Sequence, residues 1–447
     1  MTSTVRRAAA FALVGGLSLV VPWVRRLEEP AFATLTAVLP FLLVAAVALT
    51  VGSGTRLFEL FARPGDRQDG KLYGLAGFAL SAAGLAILAV EFGMPVTVYV
   101  GTVFLLAVGN FGGHLVARYR QGALLTTSGF VVAGFLAAAA SQLAAARLAD
   151  LPASWPMVLF LAASGALLAA LLREALFRRD DPLVMVSVAM LLWLFAALPL
   201  SVTPTRIVVA LGVTAVLGGL SYALQTASLP GMLTGVLLSL LTIVLGDYGW
   251  FAMLVAFFGV GGLSTKYGYE VKQQRGIAEE NEGARGTGNV LANSLVALVA
   301  VLAAAASPWL STSPRLFLFA FAGSLAAALA DTLSSEVGGL YDNPRLVTSF
   351  EVVEPGTDGA VTWQGELAGL GGALLIAAIG FVGFAELGVP GAAVVAAAGV
   401  AGMTVDSLLG ATLEGWLLGN QGVNLLATLA AAVVGAGLAV AVGLTAL

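Results

Sequence analysis

Asp331 and Asp406 stand in otherwise apolar runs, GSLAAALADTLSSEVGG and GVAGMTVDSLLGATLEGW. Each opens an Asp-Ser/Thr-Leu triplet, each follows a glycine seven or eight residues earlier, and each precedes a glutamate, Glu336 and Glu414. An ionisable side chain inside an apolar span is costly and is by default a functional candidate. Two carboxylates at similar depth on two helices are what a Mg²⁺ site needs, with waters and phosphate oxygens completing the shell. The plain alternative is two buried aspartates satisfied by nearby hydroxyls or an arginine.

A second group of candidates lies in the polar island from Ser264 to Asn293, which carries two of the three lysines of the chain. Lys266 and Glu270 are spaced i,i+4, so the preceding span is expected to continue as a helix, with Lys272 and Arg275 on the extension. After Glu279, Glu280 and Glu282 comes a glycine-rich turn, Gly283-Ala-Arg-Gly-Thr-Gly288, which leads through Asn289 into the next apolar run. Glycines before a helix start expose backbone N–H groups to an anion, and the helix dipole adds positive potential. Arg285 could reach over a phosphate held by Gly283, Gly286 and Gly288. The run is not a Walker A loop, because no Gly-Lys-Ser/Thr ends it. A flexible loop with an Asn cap explains the same residues structurally.

Amides and a hairpin complete the polar inventory. Asn293 lies one turn into its span, and Asn420, Gln421 and Asn424 open the last one. Such amides either bind ligand or cross-link helices. Residues 346–363 read as a hairpin around the turn Pro355-Gly-Thr-Asp-Gly359, preceded by Asp342, Asn343 and Arg345. In the first half one patch is conspicuous, Asn110-Phe-Gly-Gly-His114, with Asn110 and His114 on one helix face. An interfacial histidine beside close glycine packing accounts for it.

These residues need a membrane scaffold. Of the 447 residues 59% are hydrophobic and 10% charged, against about 25% charged in soluble domains. The expected class is an all-α polytopic membrane protein. Spans of roughly 20 apolar residues fall near 6–24, 32–52, 72–91, 97–117, 124–145, 156–173, 182–202, 206–224, 230–247, 250–266, 289–307, 315–335, 366–385, 391–413 and 425–446. With the N-terminus inside, 16 of the 21 Lys and Arg residues fall in inner segments, the asymmetry the positive-inside rule expects. Both long polar segments then face the cytoplasm of a cell-membrane protein. A division near residues 205–206 separates seven spans of unassigned role from eight that hold the candidates. The chain has no Cys and one His, which removes disulfides, thiolate chemistry and a His-rich metal centre. No basic stripe with interleaved aromatics suggests nucleic acid.

The motifs KYGYEVKQQRGIAEENEGARGTGNVLAN, GSLAAALADTLSSEVGG, NPRLVTSFEVVEPGTDGAVTWQGELAGLGGA, DSLLGATLEG and NQGVNLL occur in that order. Together they resemble the integral membrane family called domain of unknown function 92, over about residues 206–447. That family includes plant phytyl-phosphate kinases and animal transmembrane protein nineteen. The resemblance implies a kinase using Mg²⁺ and CTP or ATP to phosphorylate a polyprenyl monophosphate held in the bilayer. It implies metal ligation by Asp331, Asp406 and Glu336. It assigns phosphate contacts to Lys266, Lys272, Arg275, Arg285 and Arg345, with Gly283, Gly286, Gly288, Asn289, Asn293 and Asn424 around the nucleotide. The alternative is a transporter or channel for a lipid or small anion. The first seven spans lie outside the resemblance, and Val361-Thr-Trp363 replaces a small Gly/Ser-rich stretch of the family pattern.

Overall fold

A computed structural model describes residues 3–24, 29–175, 181–224, 228–278 and 287–446. The protein is an all-α polytopic membrane protein. Among the described residues twelve helices are long and apolar enough to cross a membrane, and three apolar helices are shorter (Asp181–Ala197, Leu229–Leu245 and Tyr248–Ser264). A helix stands at each of the fifteen apolar segments, because an uninterrupted apolar run in lipid must satisfy its backbone internally.

The chain divides into two compact units. The first comprises Met1–Leu198 and Val202–Ile207, the second Pro199–Ser201 and Val208–Leu447. In the first unit the helices Val96–Tyr119 and Ala123–Leu148 are packed against each other along their lengths. A Cβ on Gly112 would meet Ala133 Cβ at 2.3 Å, so small residues let these backbones approach. In the second unit the helix Pro314–Gly338 is central: it packs against Tyr248–Ser264, Thr287–Ala305, Trp363–Gly383, Gly388–Leu413 and Asn420–Ala441.

Two expectations about local structure change. The Tyr248–Ser264 helix does not continue through Lys266 and Glu270. It ends in a turn at Gly268, whose left-handed φ of +63° starts a separate short helix, Tyr269–Gln274. Glycine is the residue that takes this φ without strain. The expected 346–363 hairpin is much shorter than its apolar pattern. Arg345–Leu346 pairs antiparallel with Ala360–Val361 over two residues, Phe350 turns the chain with φ +61°, and Trp363 already begins a helix capped by Thr362.

Candidate active site

Within the second unit the ends of several helices, all on one side of the bundle, line a cavity of about 500 Å³. Asp331 and Asp406 lie on its wall. Each sits seven residues before the end of its helix, at Gly338 and Leu413, or about 10 Å in from that end. The two carboxyl groups are close enough to share a hydrogen bond. Asp406 Oδ1 is buried and, among the described residues, has no hydrogen-bond partner. Among the described residues no Lys or Arg forms an ion pair with Asp406. The hydroxyls beside the pair donate to their own helices, Thr332 to Ala328 O and Ser407 to Met403 O. Two carboxyls in contact need a proton or a cation between them, and a Mg²⁺ held by one or two carboxylates plus phosphate oxygens fits this donor set. Among the described residues no three acidic, His or Cys side chains converge as a complete metal cage.

Two pairs of asparagines face the same cavity. Asn293 Nδ2 donates to Asn289 O at 2.9 Å near the start of the Thr287–Ala305 helix, and Asn424 Nδ2 donates to Asn420 Oδ1 at 2.8 Å at the start of Asn420–Ala441. All four line the cavity. Gly288 lets the two helix starts meet, since a Cβ there would fall 2.1 Å from Gln421 Nε2. Positive helix ends thus lie opposite the carboxylates.

The turn Pro355–Gly359 forms another wall. Gly359 has φ +72°, and a Cβ on it would lie 2.4 Å from Ala411 N and 2.5 Å from Ser407 O. No side chain fits between the turn and the Gly388–Leu413 helix. This contact brings Asp358 to the cavity, where Glu414 also lines the wall. Burial, then Asp358 and Asp331, push the Glu414 carboxyl above its ordinary value. Five carboxylates (Asp331, Glu336, Asp358, Asp406 and Glu414) therefore face the cavity with a single lysine.

That lysine is already engaged. Lys272 is 2% exposed; its ammonium donates to Ser264 O at 3.2 Å, to Thr265 O at 2.8 Å and to the Glu336 carboxylate. A lysine has three N–H donors, so Lys272 ties a helix end to the central helix and has no donor left for a phosphate. Glu336 is correspondingly turned to Lys272 rather than added to the aspartate pair. Arg275 donates to the carbonyls of Gly339 and Tyr341 and pairs with Asp342 at 2.6 Å, fixing the loop after the central helix. Arg345 donates to Phe350 O inside the hairpin. Neither lines the cavity, nor does the exposed Lys266. Gly283, Arg285 and Gly286 lie outside the described residues. Asp358 and Glu414 line the cavity although the sequence assigns them no site role, whereas Asn420 is singled out there with Asn424 as an amide that binds ligand or cross-links helices.

A helical membrane bundle with a polar, carboxylate-paired cavity near one end of its spans defines a class of membrane protein. The chain belongs to the family described as integral membrane protein DUF92, whose profile matches residues 212–432. An uncharacterised membrane protein of Methanocaldococcus jannaschii is 38% identical over 191 residues, 42% of this chain and 75% of the relative. An uncharacterised membrane protein of Synechocystis is 34% identical over 208 residues, 44% of this chain and 77% of the relative. The chloroplastic protein VTE6 of Arabidopsis thaliana is 32% identical over 131 residues, 29% of this chain and 39% of the relative. No solved structure matches.

Proposed function

We propose that the protein is a polyprenyl-phosphate kinase, transferring the terminal phosphoryl group of CTP or ATP to a prenyl monophosphate such as phytyl or geranylgeranyl phosphate. An acceptor phosphate oxygen forms a new P–O bond as the bond bridging the β- and γ-phosphates breaks, leaving a prenyl diphosphate and a nucleoside diphosphate. The observation that carries the reading is the Asp331–Asp406 pair on a polar cavity, with Asp406 Oδ1 lacking any partner among the described residues. Family membership supports it, since the resemblance implies phytyl-phosphate kinases among the plant members.

Phosphoryl transfer demands positioning and charge neutralisation more than a strong base. Asp331 and Asp406 would hold Mg²⁺, which would supply neutralisation of the phosphate charge. The amides of Asn289, Asn293, Asn420 and Asn424 and the helix starts they occupy would orient phosphate oxygens by N–H donation. Gly283, Arg285, Gly286 and Gly288 belong to the nucleotide side in this reading, and Lys266 to its rim. Lys272, Glu336, Arg275 and Arg345 hold the walls. The apolar helices around the cavity would accept the prenyl tail. The cavity then opens to the cytoplasm of a cell-membrane protein with its N-terminus inside, where nucleotides are supplied. A transporter of small anions fits less well, because the described walls present five carboxylates and one lysine that is already paired.

The test is the purified, folded protein with Mg²⁺, labelled CTP or ATP, and prenyl monophosphates of several lengths. Label is expected in a prenyl diphosphate, and is expected to vanish in Asp331→Asn and in Asp406→Asn. Absence of transfer from either nucleotide to every acceptor sinks the reading.

A further inference from the structure

The N-terminal unit holds its own polar cavity, of about 570 Å³, which the kinase chemistry does not use. It gathers Arg7 from the first helix, Asn110 and His114 from Val96–Tyr119, Arg173 from Trp155–Ala175, and Asp181 from the start of Asp181–Ala197. The segment Arg63–Asp69 completes it.

Most of its charges are matched. Asp66, 4% exposed, accepts from the backbone N–H groups of Arg63 at 2.9 Å and Gly74 at 3.0 Å. Asp181 is shared by Arg63, Nη2 at 2.9 Å, and Arg173, Nε at 3.6 Å. Both guanidinium groups also cover aromatic rings, Arg63 over Phe11 at 5.1 Å and Arg173 over Phe130 at 4.7 Å. Asp69 lies on the exposed rim.

Arg7 is the exception. Among the described residues its half-buried guanidinium has no carboxylate partner and donates to Ala62 O alone, at 3.0 Å. Asn110 and His114, one turn apart on the cavity wall, make no side-chain hydrogen bond among the described residues. Their neighbour Gly112 faces the adjacent helix instead, so glycine packing explains the glycines of the Asn110–His114 patch and not its ends. A half-buried guanidinium with a single hydrogen bond keeps N–H donors to spare, and the amide of Asn110 and the imidazole of His114 add more beside it.

We propose that this cavity binds a phosphoryl oxyanion through Arg7, His114 and Asn110. Arg7 spends one N–H on Ala62 O and has others to offer a phosphodiester oxygen. Donors arriving from two helices suit a tetrahedral group with several acceptor oxygens. The volume exceeds a bare ion and leaves room for the group attached to it. The same chemistry is supplied by an anionic phospholipid headgroup or by a soluble phosphate, and the proposal is independent of the activity of the second unit.

The experiment follows thermal unfolding of the full-length protein in two series. One titrates inorganic phosphate in phosphatidylcholine nanodiscs; the other replaces phosphatidylcholine by phosphatidylglycerol at constant buffer. A saturable rise in unfolding temperature is expected in one of them, and which one identifies the source. Arg7→Gln is expected to weaken the apparent affinity about tenfold or more, and His114→Gln and Asn110→Ala severalfold. Arg147→Gln, at an exposed arginine that does not line the cavity, should bind as wild type. No saturable rise with either probe overturns the proposal, as does unchanged affinity in both Arg7→Gln and His114→Gln. If Arg7→Gln does not fold, unchanged affinity in both His114→Gln and Asn110→Ala overturns it instead.

Discussion

Lys272 closes on Glu336 while donating to the carbonyls that end the Tyr248–Ser264 helix. One ammonium thus joins a helix end to the central helix, and both partners are largely shielded from water, at 2% and 14% side-chain exposure. Lys272→Met leaves Glu336 charged, shielded and unpaired. The expected loss is about 3–5 kcal/mol of stability, read as a lower unfolding temperature in detergent. Lys272→Met with Glu336→Leu should recover part of it. A single variant as stable as wild type would remove the clamp from the account.

The aspartate pair makes the opposite prediction for stability. Two carboxyls in contact repel when both are ionised. In chelator, Asp406→Asn should therefore unfold no lower than wild type, and is expected to unfold at a higher temperature. Added Mg²⁺ should raise the wild-type unfolding temperature by more than that of the variant. Equal Mg²⁺ responses in the two proteins would take the metal away from this pair.

Gly359→Ala tests the seal between the turn and the Gly388–Leu413 helix. The new methyl requires a left-handed backbone and meets main-chain atoms at 2.4–2.5 Å. A cost of about 1–3 kcal/mol is expected, with a matching fall in label transfer as Asp358 moves off the wall. Gly65→Ala, where a Cβ meets nothing within 4 Å, serves as the neutral control.

Glu414, just beyond its span, predicts a pH dependence. Its carboxyl is raised above the ordinary 4.5 by burial and by Asp358 and Asp331. The folded state therefore keeps a proton that the unfolded chain releases. This contribution is fully present below the ordinary value and is lost as pH rises through the raised one. Glu414→Gln should flatten that part of the curve of unfolding temperature against pH, recorded without divalent cations. An unchanged slope would contradict it.

Much of this arrangement is legible in the sequence, for definite reasons. Apolar runs near 20 residues have one backbone solution in lipid, so a helix stands at every such run. Asp331 and Asp406 are conspicuous because a carboxylate among alanines and leucines is expensive there. The asparagine pairs are visible through helical spacing. The roles of the cations are not, because they depend on where the chain turns. The break at Gly268 sends Lys272 back onto the Ser264 and Thr265 carbonyls, and the loop after the central helix draws Arg275 away. Asp358 reaches the cavity only because Gly359 allows the turn to touch Ala411, a contact between distant segments that no local pattern encodes.

The last helix carries Asn420 and Asn424, and it lies so close to the central helix that a Cβ on Gly435 would fall 2.8 Å from Phe319 O. During synthesis, then, the aspartates are inserted while one wall of their chamber is still unmade. That wall arrives only when the Asn420–Ala441 helix, which follows both aspartates in the chain, docks on Pro314–Gly338. A copy cut before Asn420 would keep both aspartates and lose the asparagine wall that faces them.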